Sequence, residues 1–177
     1  MRNNKKGFTL VELLAVIVIL AVVMLIGITA IGPLMTNSRK AALRSDGLDL
    51  MNAAKTAYQA EALKSSPGFN STESVCMTFE WLKAQGYTEG KDGYNGSVLV
   101  TYTGNGQYTY KYWLTNDVYY YLDANSNTGY EAALDYKDKN ETEKNDITAK
   151  LTSCGGALGK KCTYTKGTDE KYISSCN

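Results

Sequence analysis

Residues 5–35 read KKGFTLVELLAVIVILAVVMLIGITAIGPLM, a short basic leader followed by a long apolar run. The 23 residues from Leu13 to Met35 are interrupted by only one polar residue, Thr29. As an α-helix this run is roughly 35 Å long, enough to cross a hydrocarbon core of about 30 Å. An ordinary secretory signal has a shorter apolar region with its cleavage site after it. Here Gly7, the only glycine preceded by charges, lies before the run, so we predict a transmembrane helix that cleavage leaves on the chain.

Glu12 is a single carboxylate at the head of this run. An ionised side chain deeper in a membrane span costs about 2.5 to 3.5 kcal/mol on insertion scales, so such residues tend to be kept for a partner. The alternative is a carboxylate at the membrane interface, where the cost is small and no role is needed.

Residues Lys5 to Glu12, together with the membrane-length run, resemble the class III signal sequence of type IV pilins and pseudopilins. The resemblance covers roughly the first fifth of the chain. It implies that a membrane aspartyl peptidase cuts after Gly7 and methylates the new amino terminus, Phe8. It also implies that Glu12 attracts the amino terminus of a neighbouring subunit during assembly. The implied partners are identical or related pilin subunits, a prepilin peptidase, an assembly ATPase, a platform protein, and the membrane before assembly.

The charges on either side of the run predict its orientation. Short basic flanks stay cytoplasmic, and the bulk of the chain, rich in strand, turn and cysteine signals, follows the run. We expect a single pass through the cytoplasmic (inner) membrane with the C-terminal domain outside, and later an extracellular or periplasmic filament. The expected parts are a leader at 1–7, a transmembrane and assembly helix at 8–35, and an exported head at 36–177. The basic residues before the run are Arg2, Lys5 and Lys6, and those after it are Arg39, Lys40 and Arg44.

The four cysteines all lie beyond the run, and their even number suits an oxidising compartment. Their spacings are not those of a zinc site. Two disulfides within one chain are expected, with three possible connectivities. A predicted terminal hairpin, 162–165 against 171–175, favours one of them, Cys162 with Cys176 and Cys76 with Cys154.

The rest of the sequence predicts an α+β head. Apolar residues recur at spacings of three and four over residues 36–64, so one helix is expected to run on from the membrane segment, with a kink near Gly32 and Pro33 and a stop at 65–68. Strand-like segments joined by hairpin turns predict an antiparallel meander, one face covering the helix and the other facing solvent. The fold class is thus a pilin-like, disulfide-stapled α+β fold with a long N-terminal helix, transmembrane and then amphipathic, packed on an antiparallel sheet. The strands are expected at 97–103, 107–115 and 118–123, a short helix capped by Thr78 at 79–85, a weak charged helix at 138–150, and a loop over 154–156 and 159–162.

Several other site types are weak. Asp123 to Gly129 resembles the start of a calcium loop, but Thr128 and Leu134 stand where an EF-hand needs glycine and a bidentate glutamate. The 14 tyrosines could form a binding surface, although aromatic residues are also favoured strand formers that supply core volume. The chain has no histidine and no nucleophile motif, so no catalytic residue, metal or cofactor is expected. With 19 basic and 18 acidic residues, nothing predicts specific nucleic-acid binding.

Two relatives of the pilin subunit share the same amino terminus, and a different class of protein is a third possibility. One is a pseudopilin of a type II secretion or competence system, and another is a minor pilin with an adhesive tip. The third possibility is a non-polymerising adhesin or binding module tethered to the membrane. The tethered module would be favoured if Glu12 were dispensable and the tyrosine-rich face were exposed.

Overall fold

The computed structural model describes residues 9–63, 69, 72–156, 159–166 and 172–176, with the side chains of 27–30, 164–166 and 172–175 excepted. It separates into two compact units, Met1–Arg39 and Lys40–Asn177. Helix α1, Leu10–Ala62, supplies all the described helix of the first unit and the longest helix of the second. The second unit, called the head below, adds a seven-stranded sheet and two shorter helices.

The head part of α1 carries one buried stripe. Leu43, Leu50 and Ala54 are almost fully buried, and Ala57 and Tyr58 continue the stripe at the helical spacing of three and four. This confirms the periodicity predicted from the sequence. The stripe exists because an amphipathic helix is held mainly by packing its apolar face, not by the intrinsic propensity of its residues.

The sheet is mostly antiparallel. Its strand order is β5-β4-β3-β2-β1-β6-β7, and the pairing of β1 with β6 is parallel. The β2–β3 hairpin turns at Asn105 and Gly106, where the sequence predicts a hairpin turn, and their φ values of 51° and 74° are those of type I′. The strands are β1 Val75–Thr78, β2 Asn95–Gly104, β3 Gln107–Thr115, β4 Tyr119–Ala124, β5 Leu134–Asp135, β6 Lys160–Lys166 and β7 Tyr172–Cys176. Two helices complete the head, α2 Phe79–Ala84 and α3 Glu141–Thr152, with single 3₁₀ turns at Tyr130–Ala132 and Cys154–Gly156.

Local capping of α2 follows the prediction. The Thr78 hydroxyl accepts from the Trp81 amide at 3.3 Å, and Gly86 takes a left-handed φ of 78° just after the helix. One detail differs from the prediction. Lys160 and Lys161 belong to β6 instead of a loop, because they pair with Val75 and Cys76 across the parallel ladder. The predicted stop of α1 at 65–68 lies outside the described residues.

The two faces of the sheet carry two separate cores. One contains Val98, Val100, Tyr112 and Leu114 with the stripe of α1, which is the face predicted to cover the helix. The opposite face was expected to meet solvent, and Thr109 and Lys111 are exposed there, but α3 covers another part of it. There α3 packs Ile147 and Leu151 on the sheet, making a second core with Trp113, Tyr120, Cys76 and Cys154. Two apolar side chains in a helix of charged and polar residues are too few to reveal this contact by periodicity.

Candidate functional site

The first turn of α1 is closed by Thr9 and Glu12. The Thr9 amide and hydroxyl both donate to Glu12 Oε2, at 2.8 and 2.9 Å, and the Glu12 amide donates to Thr9 Oγ1 at 3.3 Å. This is a reciprocal capping box, which satisfies two of the backbone donors that every helix start leaves without an intrahelical partner. The carboxylate also lies where the helix dipole favours negative charge. Glu12 therefore fixes the helix start before it meets any other molecule.

Thr9 is the functional residue that the sequence interpretation missed. The signal was present as Thr9-Leu10-Val11-Glu12, since a threonine followed three residues later by glutamate is the pattern of a capping box. The sequence interpretation gave Glu12 either a partner on a neighbouring subunit or an interfacial position without a role, and in neither case a contact with Thr9. The structure gives it a local partner, through one of its two carboxylate oxygens.

The apolar half of α1 buries none of its described side chains. Every described side chain from Thr9 to Ile26 and from Ile31 to Met35 is exposed, with Leu10 at 80% and Leu25 at 72%. Leu, Val, Ile and Met occupy all sides of the helix, so it has no polar face to turn toward water. An exposed apolar surface of this extent marks a contact with lipid or with protein.

Length and apolar composition decide which of the described helices could cross a membrane. No single helix among them is long and apolar enough to cross a membrane, whereas Leu10–Ile26 and Ile31–Ala62 meet the criterion together as a bent pair. Pro33 lies inside α1, and a β-carbon at Gly32 would meet nothing within 4 Å. The assignment of a kink to Gly32 and Pro33 stays a prediction. So do the cleavage after Gly7 and the methylation of Phe8, because both residues lie outside the described part of the chain.

The head contains two disulfides with the pairing preferred from the sequence. Cys76 of β1 is joined to Cys154, and Cys162 of β6 is joined to Cys176 of β7. The second bridge joins residues that face each other in the β6–β7 register. The first ties the sheet to the turn that follows α3, beneath the second core. All four cysteines are therefore structural, and the described residues include no free thiol.

The Asp123–Gly129 segment is occupied by a cation from the protein itself. Arg44 of α1 donates through Nε to the Thr128 carbonyl at 2.6 Å and through Nη2 to the Ser126 carbonyl at 3.0 Å. The Asp123 carboxylate forms an ion pair with Lys111 at 2.9 Å. The carbonyls and carboxylate that a calcium ion would need therefore already serve positive side chains. Over the described residues no cluster of three or more acidic or cysteine side chains is placed to hold a metal.

The tyrosines are mainly core residues. Tyr112 and Tyr121 are buried with edge-to-face rings, and Tyr58 packs between Phe69 and Tyr108. Burial raises the pKa of Tyr58 and of Tyr112 to about 12, so both stay neutral at physiological pH. They supply volume and rigidity, as the structural alternative for the tyrosines predicts.

The clefts on the head include two that are lined by ion-paired residues. A cleft of about 220 Å³ lies beside Asp46, whose carboxylate accepts from Tyr94 Oη at 2.6 Å and pairs with Lys91. Burial, followed by the bond to Asp46, raises the pKa of Tyr94 to about 12, so the Tyr94 phenol keeps its proton near neutral pH. The cluster links α1 to residues 91–94. A wider cleft of about 720 Å³ lies over Trp113 and the turn at Gly155. Both are shallow and bounded by groups already engaged in ion pairs.

Comparison with known proteins locates the likeness at the amino terminus. The family described as the prokaryotic N-terminal methylation motif matches residues 2–28. No curated protein matches the chain, and no solved structure does. The matched family is structural and not catalytic, and its motif implies an N-terminal helix anchored in the membrane. Over residues 2–28 the chain therefore carries the prepilin signature of type IV pilins and pseudopilins.

Proposed function

We propose that this protein is the structural subunit of a type IV pilus-like filament. The precursor enters the cytoplasmic membrane, a prepilin peptidase removes residues 1–7 and methylates Phe8, and an assembly ATPase with a platform protein polymerises the product through α1. The head remains outside and forms the filament surface. The observation that carries the proposal is the fully exposed apolar half of α1 within the methylation motif.

A helix that is apolar on all sides is stable only where water is absent. Lipid provides such a place before assembly, and a bundle of identical helices provides one afterwards. Packing between such helices adds van der Waals contact to a surface that lipid already keeps dry. One surface thus serves for storage in the membrane and for polymerisation.

Glu12 supplies the polar contact of that bundle. Its Oε2 atom is bound to Thr9, whereas among the described residues Oε1 accepts from no donor. A carboxylate has room for about four hydrogen bonds, so the cap leaves capacity for another partner. The cationic amine of Phe8 on an adjacent subunit matches it in charge. In a dry bundle an unpaired carboxylate costs several kcal/mol, which would set the axial register between neighbours.

The test compares two substitutions in the cap with one in the head. Glu12→Ala removes the carboxylate. Thr9→Ala removes the hydroxyl and the γ-methyl group, but keeps the hydrogen bond that the Thr9 backbone N–H donates to Glu12. Glu80→Ala makes the same chemical change at an exposed glutamate of α2 and serves as the control. We expect Glu12→Ala to be cleaved normally and to accumulate as membrane monomer, with filament yield reduced at least tenfold. Thr9→Ala should keep most of the yield, and Glu80→Ala should match the wild type.

Sheared surface material, quantified by mass spectrometry with the N-terminal peptide included, gives the measurement. Normal filaments from Glu12→Ala would contradict the register role. An equal loss with Thr9→Ala would assign the effect to the cap. A wild-type chain that is cleaved but never found in a filament would favour the tethered module, and an intact Met1 in the membrane form would contradict processing.

A further inference from the structure

Two Asn-x-Ser/Thr sequences lie fully within the described residues. They are Asn95-Gly96-Ser97 and Asn140-Glu141-Thr142. A third, beginning at Asn70, has two of its three residues outside the described chain. This tripeptide is the acceptor pattern for N-linked glycans in exported proteins, provided that it is accessible on the surface.

The Asn95 tripeptide is closed at its third residue. Asn95 is half-buried at the start of β2, where it pairs with Thr115 of β3, and Gly96 and Ser97 are buried. Ser97 is fully buried, where its hydroxyl donates to the Leu151 carbonyl and accepts from the Cys154 amide at 3.2 Å. A β-carbon at Gly96 would come within 2.3 Å of the Trp113 carbonyl oxygen. The Ser97 hydroxyl, which a transferase must recognise, cannot be reached without opening the sheet.

The Asn140 tripeptide is open to solvent along its whole length. Asn140 and Thr142 are exposed, and Glu141 keeps 85% of its side-chain area. Asn140 is the N-cap of α3. Its side-chain Oδ1 accepts from the Glu143 backbone N–H at 2.9 Å, and its backbone N–H donates to Glu143 Oε2 at 3.1 Å. Among the described residues its Nδ2 donates to no protein group. The cap thus holds the oxygen of the side-chain amide and leaves its nitrogen toward solvent.

We propose that Asn140 is an acceptor for an N-linked glycan on the exported head. The cap explains how the modification is compatible with the fold, because the glycosylated amide keeps the Oδ1 atom that accepts from Glu143. The site also lies at the first turn of a helix end, where fraying exposes backbone at little cost. The Glu143 carboxylate pairs with Lys139 at 3.2 Å and accepts from the Asn140 backbone N–H. These contacts allow the first turn of α3 to re-form after the transferase releases the chain.

The reaction is a glycosyl transfer from a glycosyl diphosphate carried on a polyprenyl lipid. A bond forms between Asn140 Nδ2 and the anomeric carbon, and the bond between that carbon and the donor phosphate oxygen breaks. The Nδ2 proton passes to a base of the transferase, and the lipid diphosphate leaves with the bonding electron pair. No oxidant or reductant is involved. Thr142 recognises the transferase through its hydroxyl, as the third residue of the acceptor pattern requires.

The test uses the full chain from membranes of its native cells. Tryptic peptides containing Asn140 should carry a glycan mass that peptide N-glycosidase or mild hydrazinolysis removes, while those containing Asn95 should be unmodified. Thr142→Ala should abolish the added mass without disturbing the Asn140 cap, and Thr142→Ser should retain it. Ser97→Thr serves as a control in the buried tripeptide and should gain no glycan.

The glycan proposal rests on the proposed function, because it assumes that the head is exported. A second reaction, carried out in vitro, tests the two separately. Purified full-length chain in detergent, a bacterial or archaeal oligosaccharyltransferase and a polyprenyl-diphosphate oligosaccharide are incubated together. Transfer to Asn140 and not to Asn95 supports the acceptor site even for a chain with an intact Met1. Unmodified Asn140 in cleaved native chains, or transfer in vitro that Thr142→Ala does not reduce, would overturn it.

Discussion

The apolar half of α1 exposes the same types of apolar residue that the head buries. Val18 is 53% exposed and Leu25 is 72% exposed, whereas Val98 and Leu82 are fully buried. In the head, helices and strands cover one another, and polar groups such as Arg44 and Asp46 find partners in the same unit. In the apolar half, side-chain hydrogen bonds close the cap between Thr9 and Glu12, while the apolar side chains around it stay exposed. The difference shows that the head covers its apolar residues by its own contacts, while the apolar half leaves them uncovered, as the anchored helix implied by the motif would.

The same substitution in the two regions should give the largest contrast. Val98→Lys buries an uncompensated charge, and we expect the head to unfold, because several kcal/mol is comparable with the stability of a small domain. Val18→Lys should leave the head unchanged and cost about 2.5 to 3.5 kcal/mol in membrane insertion. Trp81 and Trp113 both lie in the head, so urea unfolding followed by fluorescence reports on the head alone. Equal losses of urea resistance in both variants would refute the separation.

The two disulfides test how far the head depends on covalent closure. Cys76 and Cys154 are 78 residues apart and Cys162 and Cys176 are 14 apart. In the chain-entropy model the longer loop contributes about 4.5 kcal/mol and the shorter about 3 kcal/mol. We expect the double alanine variant of the first pair to lose more stability by urea titration. The reverse order would mean that packing at β6 and β7 outweighs the entropy of the unfolded chain.

A matched pair of glycines on α1 gives a smaller effect. A β-carbon at Gly47 would lie 2.3 Å from the buried Tyr112 ring, whereas one at Gly32 meets nothing within 4 Å. Overpacking costs about 1 to 3 kcal/mol, and replacing a helical glycine by alanine returns up to about 1 kcal/mol. Gly47→Ala should therefore destabilise the head by about 1 to 2 kcal/mol, and Gly32→Ala should leave its melting temperature unchanged. A stabilised Gly47→Ala would show that Tyr112 shifts without cost.

Alkaline titration should give the smallest effect. The pKa values of Tyr58, Tyr94 and Tyr112 are raised from 10.0 to about 12, mainly by burial. Since the folded state disfavours the ionised form, their contribution to stability is complete below pH 10 and is lost as the pH rises from about 10 to about 12. Tyrosinate absorbance should show a late group of tyrosines in the native chain that joins the others in urea. A single transition near pH 10 in the native chain would contradict these shifts.

Much of the head could be predicted because its signals are local. The stripe of α1, the hairpin turn at Asn105 and Gly106, and the Thr78 cap each depend on a few neighbouring residues, and all three are confirmed. The preferred disulfide pairing agrees with the structure because a hairpin placed Cys162 beside Cys176.

What the sequence did not reveal depends on distant partners. β1 is four residues long and buried throughout, so it lacks the alternation that identifies a half-exposed strand. Its parallel partner β6 lies far along the chain, beyond any local pattern. The cap at Thr9 was missed for another reason, since its signal overlaps the processing motif and neither interpretation of Glu12, as assembly contact or as interfacial carboxylate, involves Thr9.

The place of β1 in the sheet also governs when the head can form. β1 pairs with β2, which follows it closely, and with β6, near the end of the chain, so it joins early and late segments. Loop-closure entropy must be overcome before such non-local pairs form, which makes them slow. Both bridges need cysteines from Cys154 onward, so neither can form until nearly the whole chain is present and in an oxidising compartment. For an exported chain, a missing C-terminal segment would therefore leave β1 with an unpaired edge, which is a template for aggregation.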